Sequence, residues 1–270
     1  MMNNAFSVFV QGDYAYVTSN TNDSLTVINI TNKTNPIQVG YLTNATSLDT
    51  AYYLYVSGDY AYVPAPTSNS LTIIDVTNKA SPTQVGYLND NGDLGNAFSV
   101  FVQGDYAYVA SNANDSINII DVTNKASPTL VGHVEEGGSG SRGVLNGAYS
   151  LYVSGDYAYV VSNNNDSITI VNITNKTSPA ILGSLTNTSL DAARSVYVSG
   201  DYAYVASPVR DSITIVNITN KTSPKQIIEL TNSTSLNGAV SVFVSGDYAY
   251  VGTITDSYLT IIDIGDGFQQ

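Results

Sequence analysis

The sequence lacks cysteine and tryptophan altogether, has one histidine and two methionines, and sets nine basic residues against 22 acidic ones in 270 positions. Without cysteine there is no disulfide framework and no thiolate ligand or nucleophile. None is needed for folding, because a chain of this length removes about three quarters of its unfolded surface from water. A formal charge of −13 leaves no basic surface to neutralise phosphates, which argues against a nucleic-acid partner. No run reaches the roughly 20 apolar residues of a membrane span. The start Met1-Met2-Asn3-Asn4 has neither the basic nor the apolar region of a signal peptide, so an export signal would have been removed or would lie outside this sequence.

What the sequence does have is a repeat. Gly-Asp-Tyr-Ala-Tyr-Val begins at Gly12, Gly58, Gly104, Gly155, Gly200 and Gly246, with spacings of 46, 46, 51, 45 and 46 residues. Six units, about 5–46, 51–92, 97–143, 148–188, 193–234 and 239–270, fill residues 1–270 as one expected domain. In the fourth unit the apolar runs Ala148 to Val153, Tyr157 to Val161, Ser167 to Ile173 and Ala180 to Leu185 are separated by turn residues, which is a strand pattern. No stretch reads as a helix.

Four strands joined by tight turns form an antiparallel meander with two apolar faces. It cannot bury both alone, so the units must stack. The predicted fold class is all-β, a six-bladed β-propeller of four-stranded antiparallel blades; hairpin turns between the strands disfavour a linear solenoid. The last unit stops after its third strand, Tyr258 to Ile264, and the residues before Ala5 are too few to supply the missing one. A three-stranded last blade is therefore predicted, with an exposed edge open to strand addition or self-association.

The third strands, Ser24-Leu25-Thr26-Val27-Ile28-Asn29-Ile30, Ser70-Leu71-Thr72-Ile73-Ile74-Asp75-Val76 and Tyr258-Leu259-Thr260-Ile261-Ile262-Asp263-Ile264, are followed in the first two units by Pro36 or Pro82 and then Val-Gly. These segments resemble LVIVD-type repeats and are similar to the YVTN-type repeats of archaeal and bacterial surface-layer proteins. The resemblance covers essentially the whole chain. It implies an extracytoplasmic propeller with a binding or structural role, and it carries no catalytic motif onto any position.

Most repeated residues read as scaffold. Each Gly-Asp pair is a two-residue hairpin loop with glycine at the first central position of a type II′ turn, rather than part of a ring of metal-binding aspartates. The Tyr-Ala-Tyr tyrosines share one strand face, which predicts packing between adjacent blades with each hydroxyl reaching a partner or solvent. One position alternates between acid and amide as Asn29, Asp75, Asp121, Asn172, Asn217 and Asp263. A metal ligand could not exchange its charge in this way, whereas a side chain capping the following turn could. Twelve Asn-X-Ser/Thr sequons, Asn44, Asn175 and Asn232 among them, make glycosylation of a secreted chain plausible.

The departures from the repeat carry the functional suggestions. Antiparallel order places the loops between second and third strands, and the linkers between units, at one end of the blades. The acids Asp23, Asp49, Asp166, Asp191, Asp211 and Glu135 gather there, with Arg142, Arg194 and Arg210. Arg194 begins an inner strand where other units have Phe6, Tyr52, Phe98, Tyr149 and Val240. A guanidinium beside an aromatic-lined channel mouth suits bidentate capture of a carboxylate. The candidate ligand-binding set is therefore Arg194, Arg210, Arg142, Tyr52, Phe98 and Tyr149. The glycine-rich insertion Glu135 to Gly143 reads as a mobile lip. No cofactor is called for, except that Asn89-Asp90-Asn91-Gly92-Asp93 has half the composition of a calcium loop without its terminal glutamate, so calcium near Asp90 and Asp93 is the one metal to consider. His133 falls on an outer strand and reads as surface.

No nucleophile and base can be paired from this inventory, and a carboxylate pair for glycoside cleavage would have to come from loop acids that recur as turn formers. The sequence reads as a non-enzymatic extracellular or cell-surface module that offers loops to a protein or glycan. The alternative is a propeller glycoside hydrolase or lyase using the acidic loops.

Overall fold

In the computed structural model, residues 4–135 and 143–265 are described. Apolar and polar residues alternate at period two and are interrupted at short intervals by Gly, Asp or Asn. The result is 23 strands and, against the expectation of no helix at all, one 3-10 turn, Thr188–Leu190. Asn187 caps that turn by accepting a hydrogen bond from the Ser189 N–H.

The chain forms two compact units, residues 1–133 and 134–270. The first carries blade one, β1 (Ala5–Gln11), β2 (Tyr14–Ser19), β3 (Ser24–Asn29) and β4 (Ile37–Thr43). Blade two is β5 (Tyr55–Ser57), β6 (Tyr60–Ala65), β7 (Ser70–Asp75) and β8 (Thr83–Asn89), and blade three is β9 (Ala97–Gln103), β10 (Tyr106–Ser111), β11 (Ser116–Asp121) and β12 (Thr129–Glu135). The second carries blade four, β13 (Ala148–Ser154), β14 (Tyr157–Ser162), β15 (Ser167–Asn172) and β16 (Ala180–Thr186). Blade five is β17 (Ser195–Ser199), β18 (Tyr202–Ser207), β19 (Ser212–Asn217) and β20 (Lys225–Thr231), and blade six is β21 (Ala239–Ser245), β22 (Tyr248–Thr253) and β23 (Leu259–Asp263). Five sheets have four strands in sequence order and the last has three. Every paired neighbour is antiparallel.

The turns are built as the residue types require. The six hairpin glycines have φ between +56° and +61°, a region closed to most side chains. The alternating acid and amide caps the next turn in all six blades. Asn29, Asp75, Asp121, Asn172, Asn217 and Asp263 each accept a hydrogen bond through Oδ1 from the N–H two residues on, at 2.7 to 3.0 Å. Carboxylate and amide oxygens do this equally well, so either residue serves.

The core lies between neighbouring blades. In the first unit Tyr16, Leu25 and Val27 of blade one pack with Leu54, Val56, Ala61 and Val63 of blade two. In the second, Tyr204, Ile213 and Ile215 of blade five pack with Val242, Val244 and Val251 of blade six. The Tyr-Ala-Tyr residues thus do pack between blades. The Tyr16 hydroxyl differs from expectation: it is buried with no hydrogen-bond partner, because the next blade covers the tyrosine before it reaches solvent.

That cover is a lysine. Lys79 Nζ lies 5.5 and 5.6 Å from the ring centroids of Tyr14 and Tyr16 in the preceding blade, and donates to the Val76 carbonyl of its own turn at 2.6 Å. Lys125 does the same over Tyr60 and to Val122, as does Lys221 over Tyr157 and Tyr159 and to Ile218. The turn presses on the outer strand of the preceding blade at a glycine. A Cβ on Gly40 would stand 2.2 Å from the Lys79 carbonyl oxygen, and one on Gly86 would stand 1.9 Å from that of Lys125. The Val-Gly signature of the outer strand is therefore a close-approach site, half of a lock whose other half is the Thr-Asn-Lys turn.

Candidate functional site

The inner strands place an aromatic residue beside its counterpart in the next blade. In the first unit Phe9, Tyr55 and Phe101 follow one another with centroids 4.8 and 4.6 Å apart. In the second, Tyr152, Tyr197 and Phe243 do so at 4.9 and 5.0 Å. A second row stands near the loop end of the first unit. Tyr52 meets Phe6 edge-on at 4.4 Å and Phe98 at 5.3 Å, and Tyr53 also reaches Phe6, at 5.6 Å. Here β5 is shortened to three residues, and Tyr52 and Tyr53 both reach Phe6, at the place where β1, β9, β13 and β21 have a register shift against their second strands.

Tyr52 and Phe98 stack together in the first unit. In the second, the half-buried Arg194 lies with its guanidinium carbon 5.8 Å from the Tyr149 ring centroid, and its backbone N–H donates to the Ala206 carbonyl at 3.0 Å. Arg210 is engaged elsewhere, pairing with Glu229 on the outer strand β20 at 3.2 Å, on the opposite side of its blade from Arg194. Arg142 and most of the glycine-rich insertion lie outside the described residues.

The loop acids are occupied in holding the linkers. Asp23, Asp166 and Asp211 adopt φ between +47° and +51°, a conformation that Asp and Asn tolerate better than most residues. Through Oδ1 they accept hydrogen bonds from the N–H groups of Thr50, Ala192 and Gly238, at 2.9 to 3.1 Å. Asn69 plays the same part toward Asn96. Asp90, the calcium candidate, accepts from the N–H groups of Gly92 and Asp93, as Asn44 does toward Thr46 and Ser47 in the preceding linker. Asp93 faces His133 at 3.8 Å. Among the described residues no three His, Cys, Asp or Glu side chains are grouped to hold a metal ion, and no helix is long and apolar enough to cross a membrane.

Two kinds of titratable group are shifted. Hydrogen bonds from Thr77 and from Thr123 hold the carboxyls of Asp75 and Asp121 below the usual range. Burial, reinforced by the neighbouring Tyr60 and Asp105, pushes Tyr62 up to about 12. Tyr159 is likewise pushed up to about 12 by burial, Tyr157 and Asp201. The lysine lock went unseen in the sequence because its partners lie in successive repeats. The one signal that could have exposed it is that β20 and the last turn lose their glycine and their lysine together.

A family model described as the LVIVD repeat matches residues 3–43, 50–90, 94–136, 147–187, 192–230 and 238–266. No curated protein matches the sequence. Among solved structures, a provisionally assigned 6-phosphogluconolactonase from Bacteroides uniformis is similar with a TM-score of 0.80 at 11% identity, over 98% of this chain and 82% of that one. A virginiamycin B lyase from Staphylococcus aureus is similar with a TM-score of 0.70 at 11% identity, over 98% and 86%. A functionally unknown protein from Desulfotomaculum acetoxidans gives 0.71 at 13% identity, over 93% and 79%. At these identities the likeness shows the fold alone.

Proposed function

The chain belongs to the LVIVD repeat family, and from that premise we propose that it is a non-catalytic module of the cell surface or extracellular space that holds a protein or glycan ligand. The observation that carries this reading is the division of labour among its polar residues. Those that recur are spent on the scaffold: turn caps at Asp75 and its equivalents, linker caps at Asp23, Asp166 and Asp211, and lysines over tyrosine rings. Partly exposed aromatic faces occur in the first unit at Phe6, Tyr52 and Phe98, and in the second the half-buried Arg194 lies over the buried Tyr149. Such faces suit sugar stacking, and the guanidinium suits a carboxylate. The edge of β23, paired on one side only among the described residues, adds a route to self-association.

A glycan array and a pull-down with the whole chain test this reading. Binding that falls at least tenfold in Tyr52→Ala or Arg194→Ala supports it, and unchanged binding in both refutes the assignment of those residues. The competing reading is a lyase or hydrolase on the same loops, suggested by the virginiamycin B lyase among the similar structures. Turnover of a glycoside that disappears in Arg194→Ala would favour it over the binding module.

A further inference from the structure

The twelve sequons divide into four groups of three by their place in the repeat. At Asn22, Asn114 and Asn165 the hydroxyl belongs to the serine that opens the third strand, and Ser24, Ser116 and Ser167 are all buried. Asn29, Asn172 and Asn217 are half-buried. Their threonine recurs as Thr77 and Thr123 where the asparagine gives way to Asp75 and Asp121, so it belongs to the turn whether or not a sequon exists. Asn44, Asn187 and Asn232 open linkers, and the amide nitrogens of Asn44 and Asn187 are committed to Gln84 and Gln226 of the next blade, at 2.9 and 2.7 Å.

The fourth group is built differently. Asn32, Asn175 and Asn220 are exposed in the turns between third and outer strands. Each accepts its threonine's N–H through Oδ1 at 3.1 Å, and the hydroxyls of Thr34, Thr177 and Thr222 donate to the same oxygens at 2.8 to 2.9 Å. The turn does not need that hydroxyl. Blades two and three have Ala80 and Ala126 in its place, and Asn78 and Asn124 still accept the N–H at 3.1 Å. Nor does the docking of the turn need it. In blade five, Lys221 lies over Tyr157 and Tyr159 and the Thr222 backbone packs on Gly183 of the preceding blade, while Asn220 and Thr222 stay exposed. The fold thus accounts for the asparagine and gives the threonine hydroxyl no part of its own. Among the described residues no hydrogen bond engages the amide nitrogens of these three asparagines.

We propose that Asn32, Asn175 and Asn220 are attachment sites for N-linked sugar. The transfer requires a hydroxyl two residues after the asparagine, and its bulky product requires open solvent around it. A bond forms between Nδ2 and the anomeric carbon of a sugar activated on a lipid phosphate. The bond from that carbon to the phosphate oxygen breaks, the lipid phosphate leaves, and Nδ2 gives up one proton. The inference rests on the extracellular reading above. A sugar on Asn44 or Asn187 would displace the glutamine of the next blade, whereas the exposed turns carry one without loss of a contact. Sugars there would cover the end of a blade opposite the loops, leaving the Phe6 and Tyr52 faces open.

Secretion of the whole chain from yeast behind a cleavable signal sequence tests the assignment, with sugar located by mass spectrometry of peptides from the soluble, folded product. The expected result is sugar at Asn32, Asn175 and Asn220 and none at Asn44 or Asn187. Thr222→Ala should remove sugar from Asn220 alone and leave the Tm of the deglycosylated chain within about 1 °C of the parent. Ala80→Thr should add sugar at Asn78. The proposal is overturned by a secreted chain bare at all three turns, by equal occupancy of Asn44 and Asn187, or by a Thr222→Ala chain that loses stability. Location is read separately, by labelling intact source cells with a membrane-impermeant amine reagent. A chain that escapes the label there, yet carries sugar at the three turns when secreted from yeast, would break the extracellular reading and leave the attachment sites standing.

Discussion

At the scale of single residues, the same side chain type does different work according to what a neighbouring blade brings to it. Lys79 is half-buried over two tyrosine rings, whereas Lys33, its counterpart in blade one, is exposed. Lys79→Met should therefore cost about 1 kcal/mol, and Lys33→Met less than about 0.5 kcal/mol, measured by urea unfolding. Gly86→Ala should cost more than about 2 kcal/mol, since its methyl would meet the Lys125 carbonyl at 1.9 Å and backbone cannot step aside as a side chain can. The turn caps set the acid response. A carboxyl held below its unfolded value stabilises the fold above that value, and the contribution is lost as pH falls through the folded value. Asp75→Asn keeps the Oδ1 acceptor, as Asn29 does, so Tm at pH 7 should barely change while the loss of Tm below about pH 4 becomes shallower. The sign reverses for Tyr62, pushed up to about 12. Its contribution is present below about pH 10, the unfolded value, and fades as pH climbs toward 12, so Tyr62→Phe should soften alkaline unfolding.

The caps also account for the sequon excess. In nine of the twelve sequons the asparagine Oδ1 accepts a hydrogen bond from the N–H of the Ser or Thr two residues on. Asn-X-Thr is thus a signature of this turn before it is a glycosylation signal.

At the scale of elements, β23 carries the clearest liability. Its Ile261 is 57% exposed, while the equivalent Ile215 in blade five is fully buried. Among the described residues the strand is paired on one side only, and an edge strand is where another chain can add its own backbone. Ile261→Lys should lower self-association at high protein concentration, read by sedimentation velocity, with little change in Tm. This element was legible in the sequence because its absent neighbour could be counted: four apolar runs in five units and three in the sixth. The lock was not, because Tyr14, Gly40 and Lys79 sit in three unremarkable local contexts, a strand, a strand and a turn, and only their meeting gives them meaning. Arg194 stood out as a departure from its repeat; its stacking on Tyr149 did not, since strand order alone does not fix where a long side chain turns.

At the scale of the molecule, burial is unequal between otherwise identical units. Within each unit the middle blade is packed on both faces: blade two lies between blades one and three, and blade five between blades four and six. Stability in stacked repeats is a sum of unit and interface contributions, so local opening should be hardest in those middle blades. Hydrogen exchange should show amides of β1 and β23 exchanging at least tenfold faster than those of β6 and β18. Equal protection throughout would contradict this picture.

Each lock joins a second strand and an outer strand to a turn in the following repeat, and none of its contacts falls in the stretch between an outer strand and the next inner strand. Tandem duplication can therefore add or remove whole periods and leave every remaining tyrosine, glycine and lysine with an equivalent mate, whereas a cut elsewhere strands one of the three. Length should drift only in the linkers, and the one long spacing in this chain, 51 residues from Gly104 to Gly155, has its excess between β12 and β13.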